Sequence, residues 1–159
     1  MKSRVYIETT VVSYLAARPG RDLIVSARQE ITRAIWPRLL SEFESVISAL
    51  VIKEASKGDI DAAEKRMDIL KDIPVLDITD ESIRLADKLI KAHVIPVEYA
   101  DDALHISIAS VNGAEYLITW NFSHMNNVFT RSRIKEIIEK NKYYCPVICS
   151  PEELLGDLL

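Results

Sequence analysis

Short β-rich runs alternate with segments of helical periodicity along the whole of this sequence, and few folds accept that pattern. Arg4 to Ile7, Phe43 to Ile47, Val75 to Ile78, the run starting at Tyr116, and Val147 to Cys149 have strand length and composition. Strands separated by helices pair in parallel through crossovers, so the pattern predicts an α/β fold of three layers, α/β/α, with a central, mainly parallel sheet.

The helices are marked by their ends. Glu8-Thr9-Thr10 follows the first strand, and Val11, Val12, Tyr14 and Leu15 begin a short helix that the Arg18-Pro19-Gly20 turn stops. Asp22 is the expected N-cap of a longer helix carrying Leu23, Ile24, Ala27, Ile31, Ala34 and Ile35, bent or restarted at Pro37. Ser48 caps a helix from Ala49 to Lys57 that ends at Gly58. Asp59 to Lys71 presents Ile60, Ala63, Met67 and Leu70 on one side, and Thr79 caps a helix bearing Ile83, Ala86, Leu89 and Ile90. Asp101 and Asp102 enter a helix that turns off at Asn112-Gly113. A basic segment from Arg131 to Lys142 buries Ile134, Ile137 and Ile138, and Ser150-Pro151-Glu152-Glu153 opens the last helix with a capping box.

With 159 residues, 48% of them hydrophobic, the chain has the size of one domain, 1–159, and contains no repeat or linker-like run. It has no stretch of signal-peptide type and no apolar run near the ~18 residues a membrane span needs, so a cytoplasmic protein with no membrane partner is expected. Cys145 and Cys149, if they flank a strand, stand about 13 Å apart, beyond disulfide reach. A net charge of −4 gives no general attraction for nucleic acid, so any such binding needs a local basic patch or a cation.

Open α/β sheets place ligands outside the carboxyl ends of their strands. Glu8 lies just past the first strand, Glu54 on the helix after the second, Asp101 and Asp102 at a helix entrance, and Asn121 just past the fourth strand. Carboxylates gathered at one sheet edge without Lys or Arg partners repel one another, and a hard divalent cation relieves this. Oxygen ligands without a His or Cys cluster at zinc spacing favour Mg²⁺ or Mn²⁺. Such an ion lowers the pKa of a water and holds a phosphate, which is the chemistry of phosphodiester hydrolysis.

Those residues carry a resemblance. Val5-Tyr6-Ile7-Glu8-Thr9-Thr10, Ile52-Lys53-Glu54, Asp102-Ala103-Leu104-His105-Ile106 and Thr119-Trp120-Asn121-Phe122 resemble the four motifs of PIN domains, in their order and over nearly the whole chain. Many small PIN domains are VapC-type toxins: metal-dependent endoribonucleases, commonly dimeric, held inactive by an antitoxin protein. The resemblance implies an acidic metal site made by Glu8, Glu54, Asp102 and the Asn121 position, with Asp101 as a further candidate and Thr9 or Thr119 holding the site by hydrogen bonds. It implies an RNA substrate, Mg²⁺ or Mn²⁺, an antitoxin partner and a homodimer. Two positions depart from the usual pattern. Glu8 stands where Asp is usual and is longer by one methylene, and Asn121 stands where Asp is frequent and brings an oxygen without a charge.

Each residue also has a plainer role. Glu8 suits a helix cap, Glu54 an i,i+3 pair with Lys57, and either Asp101 or Asp102 the positive end of a helix. Asn121 suits an Asx turn. His105 is within reach of Asp101 or Asp102 and reads as a hydrogen-bonded, partly buried side chain that supports the site. Ser123 and His124 could meet a phosphate, and Arg131, Arg133, Lys135 and Lys140 could form part of an RNA-backbone surface or simply a solvated helix face. The main alternative to a ribonuclease is a PIN-like module weakened in catalysis that binds RNA or protein. A hydrolase of phosphorylated metabolites has less support, since the chain carries no Gly-rich phosphate loop and no G-x-S-x-G turn.

Overall fold

The elements of the computed structural model, which describes residues 1–156, follow the alternation. In order they are β1 (Arg4–Ile7), α1 (Thr9–Ala16), α2 (Leu23–Glu42), β2 (Glu44–Ser48), α3 (Ala49–Ala55), α4 (Ile60–Leu70), β3 (Val75–Leu76), α5 (Asp80–Lys91), a 3-10 turn (Val97–Tyr99), α6 (Ala100–Val111), β4 (Tyr116–Ile118), α7 (Arg131–Lys140), β5 (Val147–Cys149) and α8 (Pro151–Leu155). The last three positions of the expected 1–159 domain, 157–159, lie outside the described residues.

Local chemistry fixes the helix starts. Asp22, Ser48, Asp59, Thr79 and Ser150 each accept a backbone N–H from three residues on, and Ser150 and Glu153 form a reciprocal capping box. Gly113, at φ +68°, turns the chain out of α6 in the left-handed region that suits glycine.

The sheet has the order β3-β2-β1-β4-β5, and all four pairings are parallel. Strands β1 to β3 build outward in one direction, and the chain then returns to the other side of β1 to lay down β4 and β5. The order therefore reverses between β1 and β4. Open α/β sheets place their ligands at such a switch point, outside the carboxyl ends of the strands. Beyond Ile7, Glu8 N–H bonds Ile118 O at 3.1 Å and Thr119 N–H bonds Cys149 O at 3.0 Å, so the ladder runs on until Glu8 and Thr119 sit side by side. One apolar core runs through the sheet and helices, with Val5, Tyr6, Ile7, Ile47, Ile106, Leu117 and Ile118 buried. Cys145 and Cys149 are buried free thiols, which burial pushes up to about 11 and about 12.

Several expected boundaries and faces shift. The third strand keeps only Val75 and Leu76 of the run to Ile78. Helix α2 continues through Pro37 without restarting, forgoing one backbone bond. Its buried stripe is Gln29, Thr32, Ile35 and Leu39, while Leu23 and Ile24 are 84% and 63% exposed. The apolar stripe read from sequence is thus turned by about one residue, about 100°, from the side that meets the core. The two polar residues of that stripe are satisfied: Gln29 bonds Gly20 N and Arg18 O, and Thr32 takes the Trp120 indole N–H at 2.9 Å. Ile60, expected to pack, is 76% exposed because it is the first residue of α4, and Ile83 on the first turn of α5 is half exposed.

Candidate functional site

Glu8 follows β1 directly and is the N-cap of α1, an uncommon residue there because its carboxylate stands one methylene further out than that of Asp. The extra length is used. Oε2 accepts the Thr10 N–H at 3.0 Å, as a cap does, while Oε1 accepts the hydroxyls of Thr10 and Thr119, each at 2.5 Å. The carboxylate is only 4% exposed. Three neutral donors surround it, and no Lys or Arg pairs with it among the described residues.

Glu54 arrives from the last turn of α3. Both of its hydrogen bonds converge on Oε1, from Thr9 Oγ1 at 2.5 Å and from His105 Nε2 at 2.6 Å, and no described residue bonds Oε2. One oxygen each of Glu8 and Glu54 and a ring nitrogen of His105 lie within 4.8 Å of one another. The i,i+3 relation of Glu54 with Lys57 makes no ion pair; Lys57 acts on it only as a more distant charge.

Asp102 enters from the first turn of α6. Burial raises its carboxyl above the ordinary value; a hydrogen bond from the Asn121 side chain opposes that rise, and the charge of Glu8 adds to it. Its Oδ2 is 3.4 Å from His124 Nδ1. Neighbouring helix positions point about 100° apart, so the turn that brings Asp102 to the cluster sends Asp101 into solvent, where no hydrogen bond or ion pair joins it to the site.

Asn121 lies beside Asp102, yet its Oδ1 accepts the backbone N–H groups of Ser123 and His124, both at 3.1 Å. The Asx turn takes the oxygen that was expected to face a cation and leaves the amide N–H₂ for Asp102. His105 also departs from expectation: its near neighbours in sequence do not hold it, because α6 buries the ring among Tyr6 and Glu54 instead.

Four further residues shape the site: Tyr6 and Thr10 stand in the first motif and Ser48 reads as a cap, but the sequence assigns none of them a part in the site, and Tyr99 carries no sequence signal. Thr10 Oγ1 bonds Glu8 and accepts the Trp120 N–H at 2.9 Å. Tyr6 and Ser48 stand behind His105. Tyr99 stacks on His124 with ring centroids 3.7 Å apart, which holds that imidazole against Asp102. On the two residues that flank Asn121, the Arg28 guanidinium lies 5.4 Å from the Trp120 ring centroid and 5.1 Å from that of Phe122, within cation–π range of both. Of the basic run, Arg131 bonds Asn126, Arg133 bonds Ala92 O and Lys135 lies 3.9 Å from Glu139.

The electrostatics give a pH signature. Burial alone would lower the His105 imidazole, but the bond to Glu54 and the charges of Glu8, Glu54 and Asp102 outweigh it and raise the group above 6.5. Burial alone would raise Glu54, but His105, Thr9 and Lys57 together hold it below 4.5. The His105 contribution to stability is fully present below 6.5 and is lost as pH rises through the raised folded value. The Glu54 contribution is present above 4.5 and lost as pH falls through the depressed value. Asp102 acts oppositely, costing stability as pH rises from 3.8 through its raised value. Metal-free protein is expected to lose melting temperature on the alkaline side of the His105 transition, and His105→Asn to flatten that limb. Melts from about pH 4 to about pH 9 check it, and an unchanged slope in the variant refutes the assignment.

The fold has solved counterparts. VapBC2 from Rickettsia felis, in a structure bound to a DNA fragment from their promoter, is similar with a TM-score of 0.59 at 13% identity, covering 92% of this chain and 98% of that one. VapC20 from Mycobacterium tuberculosis, described as a Sarcin-Ricin loop cleaving toxin, is similar with a TM-score of 0.55 at 16% identity, covering 78% of this chain and 95% of that one. No protein-family model and no curated protein matches the sequence. At these identities the likeness establishes the architecture, and this chain has the PIN-like fold that its four motifs resemble.

Proposed function

We propose that the protein is a divalent-metal-dependent endoribonuclease that hydrolyses RNA phosphodiester bonds, and that it acts as the toxin of a type II toxin–antitoxin pair. One observation supports the reading: Glu8 and Glu54, from separate elements, bring an oxygen each within 4.8 Å of one another and of His105, Asp102 lies near enough to feel the charge of Glu8, and no ammonium or guanidinium pairs with any of the three carboxylates among the described residues. Among the described residues, the basic side chains that touch them are two imidazoles, His105 on Glu54 and His124 at 3.4 Å from Asp102.

The residues present fit a hard cation. Glu8 Oε2 keeps a lone-pair direction free of its cap bond, and Glu54 Oε2 is free of described partners, so each can supply an oxygen with its other oxygen already anchored. Asp102, raised by burial and by Glu8, is the third ligand, and a cation would offset both effects by favouring its ionised form. Asn121 holds Asp102 through its amide. Asp101 stays outside the ligand set, as does the Asn121 oxygen. When bound, Mg²⁺ or Mn²⁺ supplies Lewis-acid polarisation of the phosphate and a water acidic enough to attack it. The carboxylates hold that chemistry in register, Thr9, Thr10 and Thr119 fix the carboxylates, and the Tyr99-stacked His124 closes the side at Asp102.

Single-stranded or structured RNA should be cut in Mg²⁺ or Mn²⁺ and left intact in EDTA; equal cleavage in EDTA would sink the reading. Arg28, held over Trp120 and Phe122, the neighbours of Asn121 in sequence, is the side chain expected to meet the RNA backbone. Arg28→Ala is expected to weaken RNA binding, lower the salt slope by about 1 and leave metal binding unchanged, by fluorescence anisotropy at several salt concentrations. The antitoxin, a homodimer and a cytoplasmic setting belong to the same proposal; among the described residues no helix is long and apolar enough to cross a membrane. Asn121, with its oxygen spent on backbone N–H groups, favours the second reading of a catalytically weakened module. A chain that binds RNA but neither Mn²⁺ nor cuts would support it.

A further inference from the structure

Two buried hydroxyls lie behind the carboxylates and touch none of the ligand oxygens. Tyr6 sits fully buried in β1, the central strand, where its hydroxyl requires a partner. It has two, Ser48 Oγ and His105 Nδ1, each at 2.7 Å. Ser48 in turn accepts the Val51 N–H at 3.3 Å as N-cap of α3, the helix that carries Glu54. His105 Nε2 completes the run at Glu54 Oε1.

Counting protons gives this run a direction. A carboxylate only accepts, so Thr9 Oγ1 and His105 Nε2 both donate to Oε1. With its proton on Nε2, a neutral His105 accepts at Nδ1 from Tyr6, Tyr6 accepts from Ser48, and Ser48 accepts from Val51. If the ring is an imidazolium, the Tyr6 hydroxyl turns and donates to Ser48, while Nε2 still donates to Glu54. In both cases Nε2 is spent on Glu54. A cation at that nitrogen would have to break the 2.6 Å bond to Glu54.

We propose that Ser48, Tyr6 and His105 form a positioning relay that fixes the Glu54 carboxylate for a divalent cation, with His105 holding Glu54 and never ligating the ion. The inference rests on the metal-site reading and refines it: of the three groups within 4.8 Å of one another, two are ligands and the third braces one of them, Glu54. The relay also ties the start of α3, through Ser48, to the side chain near its end, so the helix is clamped at both points to β1 and α6.

Tyr6→Phe keeps the ring and removes the hydroxyl. Its Mn²⁺ dissociation constant, measured by electron paramagnetic resonance of the free ion, is expected to rise about 10-fold or more, the usual effect of losing a residue that braces a ligand. Ile106→Val, a buried neighbour of His105 on α6, should lower the melting temperature without this loss of affinity, which separates positioning from loosening of the core. A second measurement needs no variant: in ¹⁵N-histidine spectra of the wild type, the His105 Nε2 proton should persist when Mg²⁺ is saturating. Loss of that proton, or Tyr6→Phe binding Mn²⁺ within twofold of the wild type, overturns the relay alone. Failure of the wild type to bind Mn²⁺ at all overturns the metal reading and the relay with it.

Discussion

Asp102→Asn and Glu8→Gln should each reduce RNA cleavage by more than about 100-fold, because even the loss of a residue that merely braces a metal ligand costs about 10-fold to 100-fold. The two variants reach that loss differently. Asp102 is raised by burial and by Glu8, so the neutral Asn removes a repulsion and the metal-free variant should melt no lower than wild type. Glu8 accepts from Thr10 N, Thr10 Oγ1 and Thr119 Oγ1, and Gln must turn an amide N–H₂ toward one of these donors, so this variant should melt lower. Timed cleavage of one RNA, beside melting curves in EDTA, reads both effects. Wild-type rates in both variants would remove these residues from the site.

Cation binding is the second large effect expected. At about 100 times the dissociation constant, Mn²⁺ stabilises the folded state by about 2.7 kcal/mol. For a chain of this length, that corresponds to a rise in melting temperature of about 5 to 10 °C. The shift should vanish in a Glu8→Gln/Glu54→Gln double variant, which leaves Asp102 as the single carboxylate. A wild type that melts at the same temperature in Mn²⁺ and EDTA would favour the module without a cation.

Arg28 offers a narrower test, because it touches aromatic rings and Tyr14 but none of the carboxylates. Its replacement should separate RNA affinity from ion affinity. Replacing His105 cannot do so, since its ring bonds Glu54.

The sequence by itself determined the succession of elements. It marked the helix starts at Asp22, Ser48, Thr79 and Ser150, because a cap is chemistry between residues three apart and the chain carries both partners together. It also showed that Glu8, Glu54, Asp102 and Asn121 stand near strand ends or helix starts. Only the tertiary structure decided what those positions do. Thr119 reaches Glu8 across 111 positions, His105 reaches Glu54 across 51, and Tyr6 reaches Ser48 across 42, separations that no local pattern encodes. The same holds for Asp101 and Asp102, which are alike in sequence until the helix turns one inward and the other to solvent. It holds as well for α2, which buries Gln29 and Thr32 beside Ile35 and Leu39 and leaves Leu23 and Ile24 exposed. Helix capping is short-range and legible from residue order, whereas the strand order around β1 sets which distant side chains come together.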